Sequence, residues 1–419
     1  MLFRAENLGP IRSAELDLSK KLIVLAGPNN SGKTYLGWAL YGLSRFNPGP
    51  LPSVSALMAL PLDGPDHQPL EERIRPHLAS FLAELAHAYS VGVYRDFAAT
   101  REPFLHTRLR ITSSTDQTLA AEFMAEALRN ISSLPDHGVI RERGVSNSIR
   151  FRFLGHWRLF PVERLAINIF ARELSLIRMN VVDELTDDPE NALTAESLRK
   201  VGRYPLAIRD ALRVAADLET YKRETSPFAD LADELETSVL GGRVVLTDTG
   251  EMAFRPGSSP DAPSLGVHRS SSIIKSLASI VVYLRHIARD GDQIIIDEPE
   301  LNLHPDNQRR VARVLAKIAN RGIRVLLSTH SDTLIGEFNN LIMLSHGSDP
   351  AATESLMQEL GYDAASVLRP EDLGVYLVSD GECKPVPVAA TGFEVRTIDE
   401  AIHKLNQDAQ KIYGRLFCE

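Results

Sequence analysis

The chain has 419 residues, 44% of them hydrophobic, so it can bury a large core, and its length predicts two or three domains. A formal net charge of -9 argues against a globally basic nucleic-acid binder but leaves room for a local basic groove. The chain has two cysteines without metal-ligand spacing, no signal-peptide core and no apolar run near about 18 residues, so we expect a soluble, cytoplasmic protein.

The first half of the chain predicts strands around a phosphate loop, followed by a largely helical region. Half-buried strands lead into the apolar run Leu22–Leu25, and a helix follows from Thr34 to about Ser44. Further predicted elements are an amphipathic helix over 68–90, strands over 91–112 and 148–160, a helix at about 116–133, and mostly helix over 165–222. Asp248-Thr249-Gly250 lies between two apolar runs and predicts a β-hairpin.

The second half predicts a parallel sheet covered by helices on both faces. From residue 270, apolar strands at 293–297, 323–328 and 340–344 alternate with helices at 271–289, 305–321 and 332–338. The tail predicts a short strand at 375–378 and a charged helix at about 397–416, with Ile402, Leu405, Ala409 and Ile412 on one face. That helix is a candidate for docking a partner or for packing on its own domain.

The first chemical motif is a complete match to G-x-x-x-x-G-K-[ST] between a predicted strand and a predicted helix. Its glycines let backbone N–H groups turn toward phosphate oxygens, and the helix N-terminus adds a positive dipole end. Lys33 is expected to reach the β- and γ-phosphates of ATP, and Thr34 to ligate Mg²⁺. The predicted nucleotide-binding residues of this loop are Gly27, Pro28, Asn29, Asn30, Ser31, Gly32, Lys33 and Thr34.

The second motif is a buried strand that ends in two carboxylates, Ile294 to Asp297 followed by Glu298. This is the Walker B pattern, so Asp297 is expected to hold Mg²⁺ and Glu298 to polarise the attacking water. His330 ends the next apolar strand and is expected to contact the γ-phosphate. The alternatives are that the carboxylates only end a strand and that the histidine is structural. The combination predicts ATP hydrolysis, with Glu298 and His330 as catalytic residues.

These motifs resemble the ABC-type ATPase heads of the RecF/SMC/OLD group, of the AAA_15 and AAA_21 kind. The segments that carry the resemblance are NLGPIRSAELDLSKKLIVLAGPNNSGKT, IIIDEPELNLHP and LLSTHSD. The resemblance implies an α/β head, split by an insertion, that binds two ATP molecules between two protomers. It also implies a D-loop on Glu300, Leu301, Asn302, Leu303, His304 and Pro305.

Two elements of that family depart from its pattern here. The signature motif is expected at the start of the helix before Walker B, where Ser270, Ser271 and Ser272 lie and a serine takes the usual glycine position. These serines are candidates for capping a partner's γ-phosphate, or form a plain helix N-cap. The usual Q-loop glutamine is not evident, and Phe160–Arg164 is the candidate for that region, with Glu163 or Arg164 near the metal or the phosphates.

The middle of the chain, in FPVERLAINIFARELSLIRMNVVDEL and GRYPLAIRDAL, resembles the PtuA ATPases of Septu-type and retron-associated antiphage defence systems. That resemblance implies a separate effector, an HNH nuclease. No D-x-D pair follows His330 and no C-x-x-C pattern occurs, so we expect no TOPRIM or HNH nuclease site in the chain itself. The insertion is also too short and irregular for a coiled coil of the SMC kind.

We therefore predict an ATPase that dimerises around ATP and Mg²⁺ and controls a separate nuclease. The expected divisions are 1–45 and 266–345 for the head, 46–265 for the insertion, and 346–419 for a tail with a terminal helix. Two alternatives stay open, a nucleotide-bound scaffold with little turnover and a repair clamp that grips nucleic acid. The clamp needs a basic groove, for which the candidates are Arg95, Arg101, Arg108, Arg110, Arg141, Arg143, Arg150 and Arg152.

Overall fold

The computed structural model describes residues 1–61, 68–112, 121–122, 124–126, 128, 139–170, 204–248, 250–257, 259, 261–347 and 349–416, without the side chains of 139–141, 396–403 and 405. Nine strands form one curved sheet in the order β4-β1-β2-β12-β11-β3-β10-β9-β5. The strands are β1 Leu2–Leu8, β2 Ile11–Asp17, β3 Leu22–Ala26, β4 Arg108–Thr112, β5 Trp157–Phe160, β6 Gly242–Leu246, β7 Met252–Pro256, β8 Leu265–Gly266, β9 Gln293–Asp297, β10 Arg324–Thr329, β11 Leu373–Ser379 and β12 Glu382–Val386.

Helices cover both faces of this sheet, as the fold class α/β predicted. Among the described residues, the α-helices include α1 Lys33–Arg45, α2 Pro52–Met58, α3 Leu70–Gly92, α4 Val139–Leu154, α5 Leu206–Ala216, α6 Leu218–Tyr221, α7 Ala229–Leu235, α8 Ser272–Val282, α9 Pro305–Asn320, α10 Asp332–Met343, α11 Pro350–Leu360 and α12 Arg396–Leu416. Residues 164–170 form a further helical segment. Because β3, β9 and β10 are buried on both faces, they are apolar without alternation.

Strand β3 divides the hydrophobic core into two clusters. Ile23 and Leu25 pack into one cluster with α1 and α3, and Leu22 and Val24 pack into the other with α8, α9 and α10. The strands on either side, β10 and β11, both run parallel to β3. The carboxyl ends of β3, β9 and β10 therefore meet at one edge of the sheet, which is where parallel α/β folds place their ligands.

The tail contributes to the centre of the sheet. Strand β11 contains the predicted strand 375–378 and hydrogen-bonds to β3, while β12 returns antiparallel to β11 and pairs with β2. The N-terminal hairpin β1-β2 is thus joined to β3 only through β12 and β11. Strands β4 and β5, from the region 46–265, lie at the two outer positions of the same sheet. The proposed division into head, insertion and tail stays a prediction.

Three local predictions are wrong. The strand expected over 91–112 is limited to β4 at Arg108–Thr112, because α3 continues to Gly92 and short 3-10 helices follow at Val93–Arg95 and Glu102–Phe104. The strand expected over 340–344 is the end of α10, because Leu334, Phe338 and Leu341 recur at helical spacing and are all fully buried on one face. The strand expected over 148–160 begins only at Trp157, since α4 runs to Leu154 and buries Val145 and Ile149 one turn apart. Most of the predicted helix at 116–133 lies outside the described residues.

The predicted hairpin is confirmed. Strands β6 and β7 pair antiparallel with Leu246 opposite Met252, and β8 adds a third strand. This small sheet packs on the α7 and α8 side of the molecule, with Val244 and Phe254 in the same core cluster as Leu277. Within the described ranges, no helix is both long and apolar enough to cross a lipid bilayer.

Candidate functional site

The phosphate loop connects β3 to α1 in a conformation that glycine makes accessible. Gly27 has a φ of 148°, Asn30 a φ of 62° and Gly32 a φ of 101°. Alternation of left- and right-handed backbone points successive N–H groups into one concavity, which binds anions. A side chain at Gly27 would also place its Cβ 2.2 Å from the carbonyl oxygen of Val378 in β11, so the loop rests directly on the tail strand.

Lys33, the first residue of α1, folds back into this loop. Its Nζ donates to the carbonyl oxygens of Gly27, at 2.9 Å, and Pro28, at 2.7 Å, and the residue is only 6% exposed. Burial lowers the pKa of Lys33, and the carboxylates of Glu298, Glu300 and Asp297 partly oppose that shift. A cation held among carbonyl oxygens is positioned to exchange those contacts for phosphate oxygens.

Asp297, at the end of β9, lies beside the start of α1. Its Oδ1 accepts a hydrogen bond from Ser328 Oγ, at 2.5 Å, and a long one from Thr34 Oγ1, at 3.4 Å. Its Oδ2 is buried and has no hydrogen-bond partner among the residues that the structure describes. Burial raises the pKa of Asp297 to about 6; nearby Glu163 and Glu298 add to the shift, and the Ser328 hydrogen bond opposes it. The sequence motif assigned no role to Ser328, which its position in β10 directs at this carboxylate.

This donor set fits Mg²⁺ bound together with a nucleotide. A buried carboxylate oxygen without a partner, next to a threonine hydroxyl, supplies hard oxygen ligands, and Mg²⁺ takes its remaining ligands from phosphate and water. Across the part of the chain that the structure describes, no group of three or more His, Cys, Asp or Glu side chains could hold a metal alone. Thr34 and Asp297 would therefore bind the ion together with phosphate oxygens of the nucleotide.

Glu298 and His330 face each other across the ends of β9 and β10. Glu298 has a φ of 46°, and its N–H donates to the carbonyl oxygen of Ser328 at 3.1 Å. The Nδ1 of His330 lies 3.7 Å from the Glu298 carboxylate and 3.5 Å from that of Glu300. His330 is about half exposed. Both predicted catalytic residues thus lie at the carboxyl ends of the neighbouring strands β9 and β10, and β10 pairs with β3, which the phosphate loop follows.

Glu300 holds this arrangement from within the same chain. Its Oε1 accepts from Thr329 Oγ1, at 2.7 Å, and from the backbone N–H of His330, at 3.0 Å. Its Oε2 is buried and has no partner within the described part of the chain. The family resemblance places Glu300 in the D-loop, an element of the contact between protomers. In this structure the residue fixes the end of β10 and the backbone of His330, which the motif did not predict.

The candidate Q-loop region divides its two charged residues between different roles. Glu163 is partly buried, and its charge acts on Asp297. Its Oε2 has no hydrogen-bond partner in the described ranges. Arg164 is 1% exposed and donates to backbone carbonyl oxygens, including those of Asp297 and Glu298. Arg164 therefore holds the backbone that carries the carboxylates, and Glu163 lies close enough to Asp297 for its charge to raise the pKa of that residue.

The signature serines lie at the exposed N-terminus of α8. Ser271 is the N-cap residue, with extended backbone angles and no side-chain capping hydrogen bond, and Ser272 is exposed. Ser270 Oγ donates to the carbonyl oxygen of Gly266 at 3.3 Å. Among the described residues, none of the three serines hydrogen-bonds to the phosphate loop of its own chain.

The candidate basic groove is only partly exposed. Arg108 and Arg110 are exposed on β4, an outer strand of the sheet, and Arg95 and Arg101 are exposed nearby in the chain. Arg150 instead donates to the carbonyl oxygen of Ser44 and to Asn147 Oδ1. Arg143 and Arg152 are exposed on α4, and the side chain of Arg141 lies outside the described residues. The exposed arginines of β4 and those of α4 thus belong to two different elements of the fold.

Residues 213–335 match the family model described as an AAA ATPase domain, a range that includes the signature serines, Asp297, Glu298 and His330. The match covers less than half of the chain. The chain is also 27% identical over 129 residues to the cell division ATP-binding protein FtsE of Bacillus subtilis (strain 168), which covers 30% of this chain and 52% of that protein. The chain thus matches about half the length of this curated relative.

Two solved structures to which the chain is similar are head domains of Smc proteins. The Smc head domain with an extended coiled coil bound to the C-terminal domain of ScpA, from Pyrococcus furiosus, is 13% identical with a TM-score of 0.34, over 97% of this chain and 98% of that one. The Smc head domain from Thermotoga maritima is 11% identical with a TM-score of 0.32, over 93% and 98%.

Proposed function

We propose that the protein binds ATP with Mg²⁺ and hydrolyses it at the edge formed by β3, β9 and β10. The observation that carries the proposal is that four motif residues from distant parts of the chain lie close together. Thr34 Oγ1 is 3.4 Å from Asp297 Oδ1, and His330 Nδ1 is 3.7 Å from Glu298 Oε1. Lys33 would bind the β- and γ-phosphates, Thr34 and Asp297 would hold Mg²⁺, and Glu298 would orient and polarise water. Mg²⁺ would neutralise charge that develops on the phosphates.

The site is proposed to be completed by a second copy of the chain. The exposed serines at the start of α8 would supply hydroxyls and helix N-terminal N–H groups to the γ-phosphate bound by the partner protomer. His330 would report the presence of that phosphate, since its ring lies between the Glu298 and Glu300 carboxylates. Two shared sites would make closure of the dimer depend on ATP.

The closed dimer is proposed to control a separate effector, an HNH nuclease, in prokaryotic antiphage defence. One support is the resemblance of residues in the middle of the chain to PtuA ATPases. The other is that the sequence has ATP-binding motifs but no D-x-D pair after His330 and no C-x-x-C pattern of a nuclease. The terminal helix α12 offers exposed apolar side chains for docking, with Ile412 at 57% exposure and Leu416 at 70%. The sequence between the two halves of the head is the other candidate surface.

The test is the mass of the purified protein with and without ATP and Mg²⁺, alone and after co-expression with its gene neighbours. Glu298→Gln keeps the shape of the side chain but removes the carboxylate, so it is expected to bind ATP, turn over slowly and accumulate as a dimer or larger assembly. Lys33→Ala is the matched variant that loses ATP binding and stays dissociated. ATP hydrolysis by Glu298→Gln at the parental rate would exclude the role given to Glu298.

A nucleic-acid clamp is the second candidate function, favoured by the exposed Arg108 and Arg110 on one face of β4. It predicts that the ATPase alone binds duplex DNA and that affinity falls steeply with salt. Replacement of both arginines by glutamine would reduce the salt slope by roughly two. The same mass experiment separates the candidates, because a clamp needs no co-purified nuclease.

A further inference from the structure

Arg164 is a buried cation that joins three backbone segments of the candidate site. It follows β5, and its side chain is among the most completely buried of the large side chains. Its guanidinium donates four hydrogen bonds to backbone carbonyl oxygens. Nη1 donates to Asp297, at 2.5 Å, and to Pro161, at 3.1 Å; Nη2 donates to Glu298, at 2.6 Å; and Nε donates to Ser276, at 3.0 Å. Removing the guanidinium leaves each of these buried carbonyl oxygens with one donor fewer.

Two of these contacts hold the peptide that carries the proposed catalytic carboxylate. Glu298 has a left-handed φ of 46°, which is uncommon for a residue with a side chain and persists only where the surroundings enforce it. Its carbonyl oxygen accepts from both Arg164 and the N–H of Leu301, and its own N–H donates to Ser328. Arg164 therefore helps to fix the direction in which the Glu298 side chain leaves the backbone.

The third contact reaches the helix that carries the signature serines. Ser276 is fully buried, one turn into α8, and its carbonyl oxygen accepts from Arg164. The hydroxyl of Ser276 also accepts a long hydrogen bond from Asn302 Nδ2, at 3.4 Å, in the segment after Glu298. If the start of α8 moves, Ser276 moves with it and shifts its hydrogen-bond partners Arg164 and Asn302. These two residues would then shift the backbone before and after the Glu298 carboxylate.

A role in binding phosphate or metal fits this geometry poorly. Each polar nitrogen of the guanidinium is engaged with a backbone oxygen, and the side chain is almost inaccessible. Burial lowers the pKa of Arg164 to about 10, and the four carboxylates nearby, on Asp297, Glu300, Glu298 and Glu163, oppose that shift. The guanidinium thus stays charged at neutral pH, so its field acts on the site even though its contacts are with the main chain.

We propose that Arg164 is a positioning residue that couples the N-terminal end of α8 to the Glu298 carboxylate. The inference rests on the proposed function, because it concerns the same ATP site. When the serines of α8 engage nucleotide held by a second protomer, the shift of the helix aligns Glu298 for water activation. Arg164 acts through the Glu298 backbone and touches neither nucleotide nor metal.

The experiment compares Arg164→Met, which keeps an unbranched apolar chain and removes all donors, with Arg164→Lys, which keeps the charge. Arg158→Met is the matched control: Arg158 lies in β5, the edge strand that precedes Arg164, and its guanidinium faces the Tyr283 ring at 5.8 Å instead of the Asp297–Glu298 peptide. ATP affinity, kcat and KM are measured for each, with hydrogen exchange of residues 294–303 in the nucleotide-free protein.

Arg164→Met is expected to lower kcat at least about tenfold while KM and ATP affinity stay within about threefold, because ground-state binding does not use the coupled carboxylate. Arg164→Lys should recover part of kcat, and exchange should rise at 297–303 in Arg164→Met but not in Arg158→Met. An unchanged kcat in Arg164→Met, or equal losses of ATP affinity and kcat, would overturn the inference. A wild-type protein that hydrolyses no ATP would instead refute the proposed function, and the exchange result would still test the contact.

Discussion

Asp297→Asn is expected to stabilise the protein when no nucleotide or metal is present. The raised pKa of Asp297, about 6 against an ordinary value of 3.8, means that ionisation of the buried carboxylate opposes folding. For a carboxyl whose pKa is higher in the folded state, the loss of stability develops as pH rises from about 4 to about 6. Above that window it amounts to about 3 kcal/mol, and near pH 5 to about half of that. Asparagine has the same shape and carries no such cost.

The assay is thermal unfolding of the wild type and of Asp297→Asn at pH 5 and pH 8 in a chelator. The unfolding entropy is about 2.1 cal/mol/K per residue. In a chain of 419 residues, a change of about 1 kcal/mol in the free energy of unfolding therefore shifts the melting temperature by about 1 °C. The variant should therefore melt about 3 °C higher at pH 8 and about 1 to 2 °C higher at pH 5.

Saturating ATP with Mg²⁺ should reverse the order of the two melting temperatures, because the metal stabilises the ionised carboxylate that only the wild type has. A gap of equal size at both pH values, or a variant that melts below the wild type at pH 8 without ligand, would show that the buried charge of Asp297 does not act as described.

Two further substitutions test contacts away from the catalytic carboxylates. Gly27→Ala forces a Cβ to within 2.2 Å of the Val378 carbonyl at a φ of 148°, so it should destabilise the ligand-free protein by about 2 to 5 kcal/mol; Gly92→Ala, where the added Cβ meets nothing within 4 Å, should change the melting temperature by less than about 1 °C. Burial alone would raise the pKa of Glu337, but hydrogen bonds from Arg309 and Arg313 outweigh it and lower that pKa below 4.5. Its stabilisation is therefore present above about pH 4.5 and lost on acidification. Glu337→Gln should cost about 1 to 3 kcal/mol at pH 7 by denaturant unfolding, with a difference that shrinks toward pH 3, and no loss at pH 7 would contradict the ion-pair geometry.

The parts of the site that are continuous in sequence could be predicted before the structure. A phosphate loop needs eight consecutive residues, and the carboxylates at the end of β9 follow directly from an apolar run, so local pattern was enough to name Lys33, Asp297 and Glu298. The fold class followed from the alternation of apolar strands with helices. The roles of these residues in hydrolysis stay predictions.

Contacts between segments distant in sequence could not be predicted. Arg164 donates to backbone oxygens that lie more than a hundred residues further along the chain, and no side-chain pattern records where a carbonyl will point. Glu300 matches a motif associated with contact between protomers, yet its hydrogen bonds here are to Thr329 and His330 of its own chain. The prediction of a strand over 340–344 was wrong because a short apolar run has the same sequence pattern at the end of a helix as in a buried strand.

The position of β3 between β10 and β11 has a consequence for how the protein is made. Residues 22–26 leave the ribosome first, while their two partner strands, at 324–329 and 373–379, follow hundreds of residues later. At about 5 to 20 residues per second, the fully apolar β3 waits tens of seconds for either neighbour. Pairing over such separations is slow and exposes strand edges meanwhile. Because the β1-β2 hairpin reaches β3 only through β12 and β11, it leaves the edges of β3 unpaired until synthesis reaches the tail, and of the early elements α1 packs on one face of the strand.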